Sequence, residues 1–139
     1  PYPVGLDELQ GVCIAGGPSL DRICDYGLAV IGRPATDPNR DATPTQILAE
    51  RNLEPEADQA RWRVTDAVAV PKPRKGYALQ LGSCRLDRVD GAHIVAFVRH
   101  GDREYSRDVL WARRLDIVSG KLQPVAIKRV DCINEGLGI

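Results

Sequence analysis

The sequence predicts an α+β fold in one domain, residues 1–139: N-terminal helices packed on a five-stranded antiparallel meander, curled toward a barrel-like form. Three observations lead there. Through residues 1–54 apolar side chains recur at three- and four-residue spacing, the period of an amphipathic helix. From Arg61 to residue 133 the period changes to two, the alternation of strands. The four cysteines, Cys13, Cys24, Cys84 and Cys132, contain no Cys-x-x-Cys pair and suit two disulfides.

The helical part comes first. "LDELQGVC" places Leu6, Leu9 and Cys13 on one face, and "IAGGP" breaks the chain. "SLDRICDYGLAVIGR" puts Leu20, Ile23, Cys24, Gly27, Leu28 and Ile31 on one stripe. A short connection favours an antiparallel helix pair, which makes a Cys13–Cys24 bridge natural. After the loop "GRPATDPNRDA", "TPTQILAERNL" carries the start signals of a short helix. Thr43 can cap it, Pro44 fits the first helical position, and Gln46 completes a capping box. "EPEADQA" reads as a loop.

Five strands follow. "RWRVTDAVAV" alternates Trp62, Val64, Val68 and Val70, and "GYALQLGSCRL" alternates Tyr77, Leu79 and Leu81. "AHIVAFVRH" is apolar on both faces and suits a central strand. "SRDVLWARRLDI" alternates Val109, Trp111, Leu115 and Ile117, and "KLQPVAIKRVDC" reads as a final edge strand because Pro124 lacks an amide donor. "RLDRVDG" and "RLDIVSG" are similar turns, each leading into another strand. Cys84 lies in the second strand and Cys132 ends the fifth, so bridging them requires the sheet to curl.

Composition narrows the function classes. Hydrophobic residues make up 43% and charged residues 27%, a globular balance. Nineteen basic and nineteen acidic side chains cancel, which argues against a nucleic-acid partner and against a polybasic membrane-surface protein. No apolar run approaches the roughly 18 residues of a membrane helix. The chain has no Met, and Pro1-Tyr2-Pro3 is consistent with a mature terminus left by signal-peptide removal. Together with two disulfides this places the expected compartment outside the cytosol: secreted or periplasmic, in a bacterium. Neither the cysteines nor His93 and His100 have zinc-ligand spacing.

One short motif points to chemistry. Arg99-His100-Gly101-Asp102-Arg103 resembles the opening of the histidine acid phosphatase active site. The resemblance implies His100 as nucleophile toward phosphorus, with Arg99 and Arg103 holding the phosphoryl oxygens. It covers only Val98 to Glu104, and Tyr105 stands where that family has Pro. Only 38 residues follow Gly101, and no second His follows His100 to act as proton donor. The match is therefore read as coincidental: a strand ends at His100 and Gly101-Asp102 turns the chain.

The remaining candidates are weaker. Asp37, Asn39 and Asp41 open like a calcium loop, but Ala42 and Leu48 occupy the positions of its Gly and closing Glu. "AGGPS" precedes an expected helix start without the Lys of a nucleotide loop. His93 could serve as a base beside an Asp. Arg99, Arg103, Arg107, Arg113 and Arg114 are interleaved with Asp102, Glu104, Asp108 and Asp116, and within that hairpin Arg103, Tyr105 and Trp111 form the expected recognition surface. No cofactor, metal or catalytic residue is expected. The functional expectation is a non-catalytic binding module, inhibitor-like or immunity-like, with a protein or cell-envelope partner. The alternative is a small hydrolase with a dispersed site built on His93 or His100 and an Asp.

Overall fold

A computed structural model describes residues 4–17, 19–37, 41–57, 59–91 and 93–136. The expected terminus Pro1–Pro3 lies outside them. The described residues form twelve strands, and their only helical pieces are two three-residue 3-10 turns, Leu20–Arg22 and Ile127–Arg129. The predicted helices packed on a five-stranded meander are not found: the chain forms three four-stranded antiparallel sheets. No helix among the described residues is long and apolar enough to cross a membrane.

Cα packing divides the chain into two compact units, Pro1–Val70 with Ile117–Leu122, and Pro71–Asp116 with Gln123–Ile139. The first unit holds β1 (Asp7–Ile14), β2 (Tyr26–Arg33), β3 (Thr43–Glu56) and β4 (Gln59–Ala69), an antiparallel meander in that order. All three segments read as helices belong to it, and each has a physical reason to mislead.

In β1 the register skips Leu9, which is the extra residue of a bulge between Glu8 and Gln10. The bulge brings Leu6, Leu9 and Val12 to a similar, half-buried depth at a spacing of three. In β2, between β1 and β3 in the sheet, Leu28, Ala29, Val30 and Ile31 are all buried, so side chains on both faces of the strand are shielded from water. A strand buried on both faces does not alternate, so it offers false matches to a helical stripe. The residues that would extend that stripe are exposed, Leu20 by 84% and Ile23 by 61%. In β3, Pro44 pairs with Gly32 across a register shift at the start of the strand. Thr45 Oγ1 donates to the Ile31 carbonyl at 3.2 Å, a bond across the ladder rather than a helix cap.

Residues 117–122 are clasped onto β4. Thr65 Oγ1 donates to the Gly120 carbonyl at 2.7 Å, and Asp66 accepts the Leu122 amide at 2.7 Å. Gly120 has φ +75, and a Cβ there would lie 2.8 Å from Thr65 Cβ, so only glycine fits.

The second unit contains β5 (Ala78–Leu81), β6 (Cys84–Leu86), β7 (Val89–Asp90), β8 (Ile94–Arg99), β9 (Tyr105–Ser106), β10 (Asp108–Asp116) and β12 (Val130–Ile133). The stretch expected as one final strand splits into β11 (Lys121–Pro124), a 3-10 turn and β12. "GYALQLGSCRL" also divides, giving β5 to one sheet and β6 to another. The sheet orders are β11-β10-β8-β5 and β7-β6-β12-β9. β11 is therefore an edge strand, which suits Pro124. The two similar turns also differ. Asp87 and Arg88 both have positive φ and form a two-residue hairpin loop between β6 and β7, whereas 117–120 is a longer turn closed by Gly120.

The core of this unit gathers Ile94, Ala96, Val98, Val109, Ala112 and Val130 around Cys84 and Cys132, which are directly opposite each other in β6 and β12 and disulfide-bonded. The other bridge joins Cys13 to Cys24. Both are the expected pairings, reached by a different geometry. In chain-entropy terms the Cys84–Cys132 link, closing a separation of 48 residues, stabilises by about 4 kcal/mol, and the Cys13–Cys24 link, closing 11, by about 3 kcal/mol. Replacing each pair by alanine and measuring unfolding in urea should reproduce that order. The gap should be widened by the cavity left where the fully buried Cys84 and Cys132 stood.

Candidate functional site

The Arg-His-Gly-x-Arg stretch leaves β8 and turns into β9. An open cleft of about 330 Å³ is lined there by Arg99, His100, Gly101, Asp102, Arg103, Ser106, Arg107 and Asp108. The turn is held from the C-terminal side. Asn134 Nδ2 donates to the Gly101 and Arg103 carbonyls at 2.7 and 3.3 Å, and the Asn134 amide donates to the Glu104 carbonyl at 2.7 Å.

His100 is fixed at both ring nitrogens, with Nδ1 2.6 Å from Ser106 Oγ and Nε2 2.6 Å from Gln80 Oε1. The tautomer follows from the neighbours. Gln80 Nε2 faces the Ile133 carbonyl at 2.9 Å and Ser83 Oγ at 2.8 Å. A carbonyl only accepts, so the amide NH₂ must lie on that side and Oε1 must face His100. His100 therefore donates from Nε2, and in the neutral ring its Nδ1 lone pair accepts from the Ser106 hydroxyl. Ser83 accepts from Gln80 and donates to Glu135 Oε1 at 3.2 Å. The result is a hydrogen-bond chain running one way, from Ser106 through His100, Gln80 and Ser83 to a carboxylate.

The charged residues fall into two classes. Some are paired. Arg85 grips Asp131 with two parallel bonds at 2.8 and 2.6 Å, and stacks on the Tyr105 ring at 3.4 Å. The Arg85 hydrogen bond holds the Asp131 carboxyl below the usual range, with the fields of Arg107 and Arg88 adding to it. Asp108 accepts from Tyr77 OH at 2.5 Å and from Arg99 Nε at 2.8 Å, and is likewise held low, first by the Tyr77 bond. Arg129 pairs with Asp87. Others make no salt bridge among the described residues: Arg88, Arg103, Arg107 and Lys128, and also Lys72, Arg74, Lys75, Arg113 and Arg114, which line neither this cleft nor its neighbour. Arg88, Arg107 and Lys128 line a second open cleft of about 260 Å³ with Arg129, and Arg107 borders both clefts.

Charge is divided between the units. The second carries twelve basic and eight acidic side chains, a surplus of +4; the first carries seven and eleven, a balance of −4.

Of the expected recognition residues, Arg103 lines the first cleft. Tyr105 lies in β9 beneath Arg85, and Trp111 lies in β10 opposite Phe97, with Arg113 4.6 Å from its ring centre. Each aromatic is thus covered by a different arginine. His93 precedes β8 half-buried, and burial, then the Arg114 charge, pushes its pKa down. The calcium-like stretch falls largely on Pro38–Arg40, which lie outside the described residues. Among those described, no group of three or more His, Cys, Asp or Glu side chains could hold a metal. "AGGPS" leads into the 3-10 turn Leu20–Arg22 rather than a helix, and its Pro18 lies outside the described residues. Sequence reasoning missed Gln80, Ser83, Ser106, Asp131 and Glu135, which carry no motif and meet only in the fold.

Asp131 yields a pH prediction. Its folded pKa is depressed, so its stabilisation is present above the unfolded value near 3.8 and is lost as pH falls through the lower folded value. Asp131→Asn should lower stability at pH 7 by roughly 2–3 kcal/mol, a value discounted because Arg85 is partly exposed, and should flatten the acid limb of a stability–pH curve. No family model, curated protein or solved structure matches the chain.

Proposed function

We propose that the chain is a small secreted or periplasmic binding module, stabilised by its two disulfides, that recognises an acidic protein or cell-envelope partner without performing catalysis, as inhibitor and immunity proteins do. The observation that carries this reading is the gathering of cations without a salt bridge in two adjoining clefts. Arg88, Arg103, Arg107 and Lys128 line two clefts that share Arg107, in a unit with a surplus of +4. A guanidinium meets a carboxylate or phosphate with two parallel hydrogen bonds, and arginine is enriched at binding hot spots. The two disulfides support the compartment, since such bonds persist in oxidising surroundings.

The test uses a hexaglutamate peptide as an acidic probe, followed by NMR at several salt concentrations. Binding should saturate, weaken as salt rises, and fall at least tenfold in Arg103→Glu/Arg107→Glu. Reversal of Arg33 and Arg51 in the first unit should change it little. Equal binding by both double variants would refute the assignment to this face.

One observation favours the hydrolase reading instead. Ser106 Oγ lies 2.6 Å from His100 Nδ1, and the other ring nitrogen is oriented by Gln80; with the ring neutral this is the arrangement of an activated nucleophile. Ser106 is buried and lies in the ladder opposite Cys132, which favours a holding role. Treatment with a fluorophosphonate separates the two. The binding reading expects no adduct by intact mass. An adduct on Ser106 that disappears in His100→Ala would establish the hydrolase.

A further inference from the structure

A different feature lies in the first unit, on the β1–β4 sheet. Gly11 of β1 and Gly27 of β2 leave a floor without side chains in neighbouring strands. Cys13, Gly27, Glu50 and Val64 form one row across the four strands, so their side-chain positions share a face. The Trp62 indole lies over Gly27, its Cζ3 only 3.5 Å from where a Cβ would be, and the Glu8 carboxylate lies over Gly11 at 3.2 Å from the same construction. Glu50 stands beside Gly27. The groove so formed holds about 350 Å³.

Glu50 is the unusual member. It is only 8% exposed, lines the groove, and has no hydrogen-bond or ion-pair partner among the described residues. A buried carboxylate without a partner is costly when ionised. Burial, and then the Glu8 charge, accordingly raise its pKa above the ordinary value. A cation entering the groove would reverse both effects, because it supplies the missing partner and neutralises the repulsion between the carboxylates.

We infer that this groove is a binding site for an alkylammonium group, with Glu50 and Glu8 taking the charge and the Trp62 face taking the cation and its apolar stem. The indole face selects this chemistry. An aromatic face attracts an organic cation and covers its methylene stem, whereas a hard metal ion prefers oxygen ligands throughout. The groove is also far roomier than a bare ion requires. The ammonium could be borne by a lysine side chain or by a free polyamine, which share this chemistry. The inference concerns the first unit and stands apart from the acidic partner proposed for the second.

The experiment follows the Trp62 indole N–H signal by NMR, assigned by its loss in Trp62→Phe. The probes are Nα-acetyl-lysine-N-methylamide and 1,5-diaminopentane, with n-pentanol and calcium chloride as controls. At least one amine should give a saturable shift that n-pentanol and calcium do not, and Glu50→Gln should weaken it at least tenfold. Glu50→Gln preserves size and removes a charge that burial disfavours, so the variant should fold, as an unchanged thermal transition would verify. Tighter binding of the lysine derivative would identify a protein side chain as the source, and tighter binding of the diamine a free polyamine. No saturable shift with either amine, equal binding by Glu50→Gln, or a calcium response that Glu50→Gln abolishes would each overturn the assignment.

Discussion

The second unit depends on one short strand. β12 lies between β6 and β9, and each of its residues, with Asn134 beyond it, fixes something different. Val130 enters the core, Asp131 takes Arg85, and Cys132 is bonded to Cys84. The Ile133 carbonyl orients Gln80, and Asn134 holds the turn that carries Gly101 and Arg103. Side chains alternate across a strand, so four consecutive residues can serve two faces at once. The disulfide stabilises this arrangement chiefly by restricting the unfolded chain, which would otherwise have to bring residue 132 back to residue 84 at a large entropic cost.

The polar chain from Ser106 to Glu135 illustrates how such a strand sets chemistry it does not itself contain. Gln80 and Ser106 are buried polar side chains, and each is hydrogen-bonded inside the protein. An amide has distinct ends, so one carbonyl at Ile133 determines which end faces His100, and through it which ring nitrogen carries the proton. A buried network of this kind resists rearrangement, since turning any one member leaves its neighbours unsatisfied in a low-dielectric setting. The arginines around the cleft are held to different degrees. Arg99 is tied to Asp108 and lies near the Tyr77 ring, whereas Arg103 and Arg107 form no salt bridge among the described residues.

The sequence was legible where local pattern and tertiary role agreed. β8 is apolar and buried from Ile94 to Val98 and is central in its sheet, between β10 and β5. Both cysteine pairings were also accessible, because sequence proximity joins Cys13 to Cys24 and leaves Cys84 with Cys132. The N-terminal third was not legible, since a helical period can arise without a helix. The bulge at Leu9 shifts alternation to a spacing of three, and a doubly buried strand such as β2 presents apolar residues at every spacing. Thr43-Pro44 reads as a helix start only if the chain continues helically, and ladder pairing with β2 overrode that preference. The site was half legible. The Arg-His-Gly-x-Arg residues do line a cleft, but Ser106 and Gln80 reach His100 from other strands, which no local pattern encodes.

Net charge illustrates the same problem of scale. A total of zero describes the whole chain, whereas the field that an approaching group meets is set by charges within a Debye length, about 8 Å at physiological ionic strength. Here the zero is the sum of +4 and −4 carried by separate compact units. Within the second unit the distinction sharpens again, because an arginine already matched to a carboxylate contributes little field, and an unmatched one contributes its full charge. Arg85 and Asp131 cancel locally; Arg103 and Arg107 do not. In the first unit the logic inverts at Glu50, whose environment disfavours its own charge and so favours whatever cation would compensate it. The chemistry each face can recognise therefore follows from which charges the fold leaves uncompensated, a property that composition averages away.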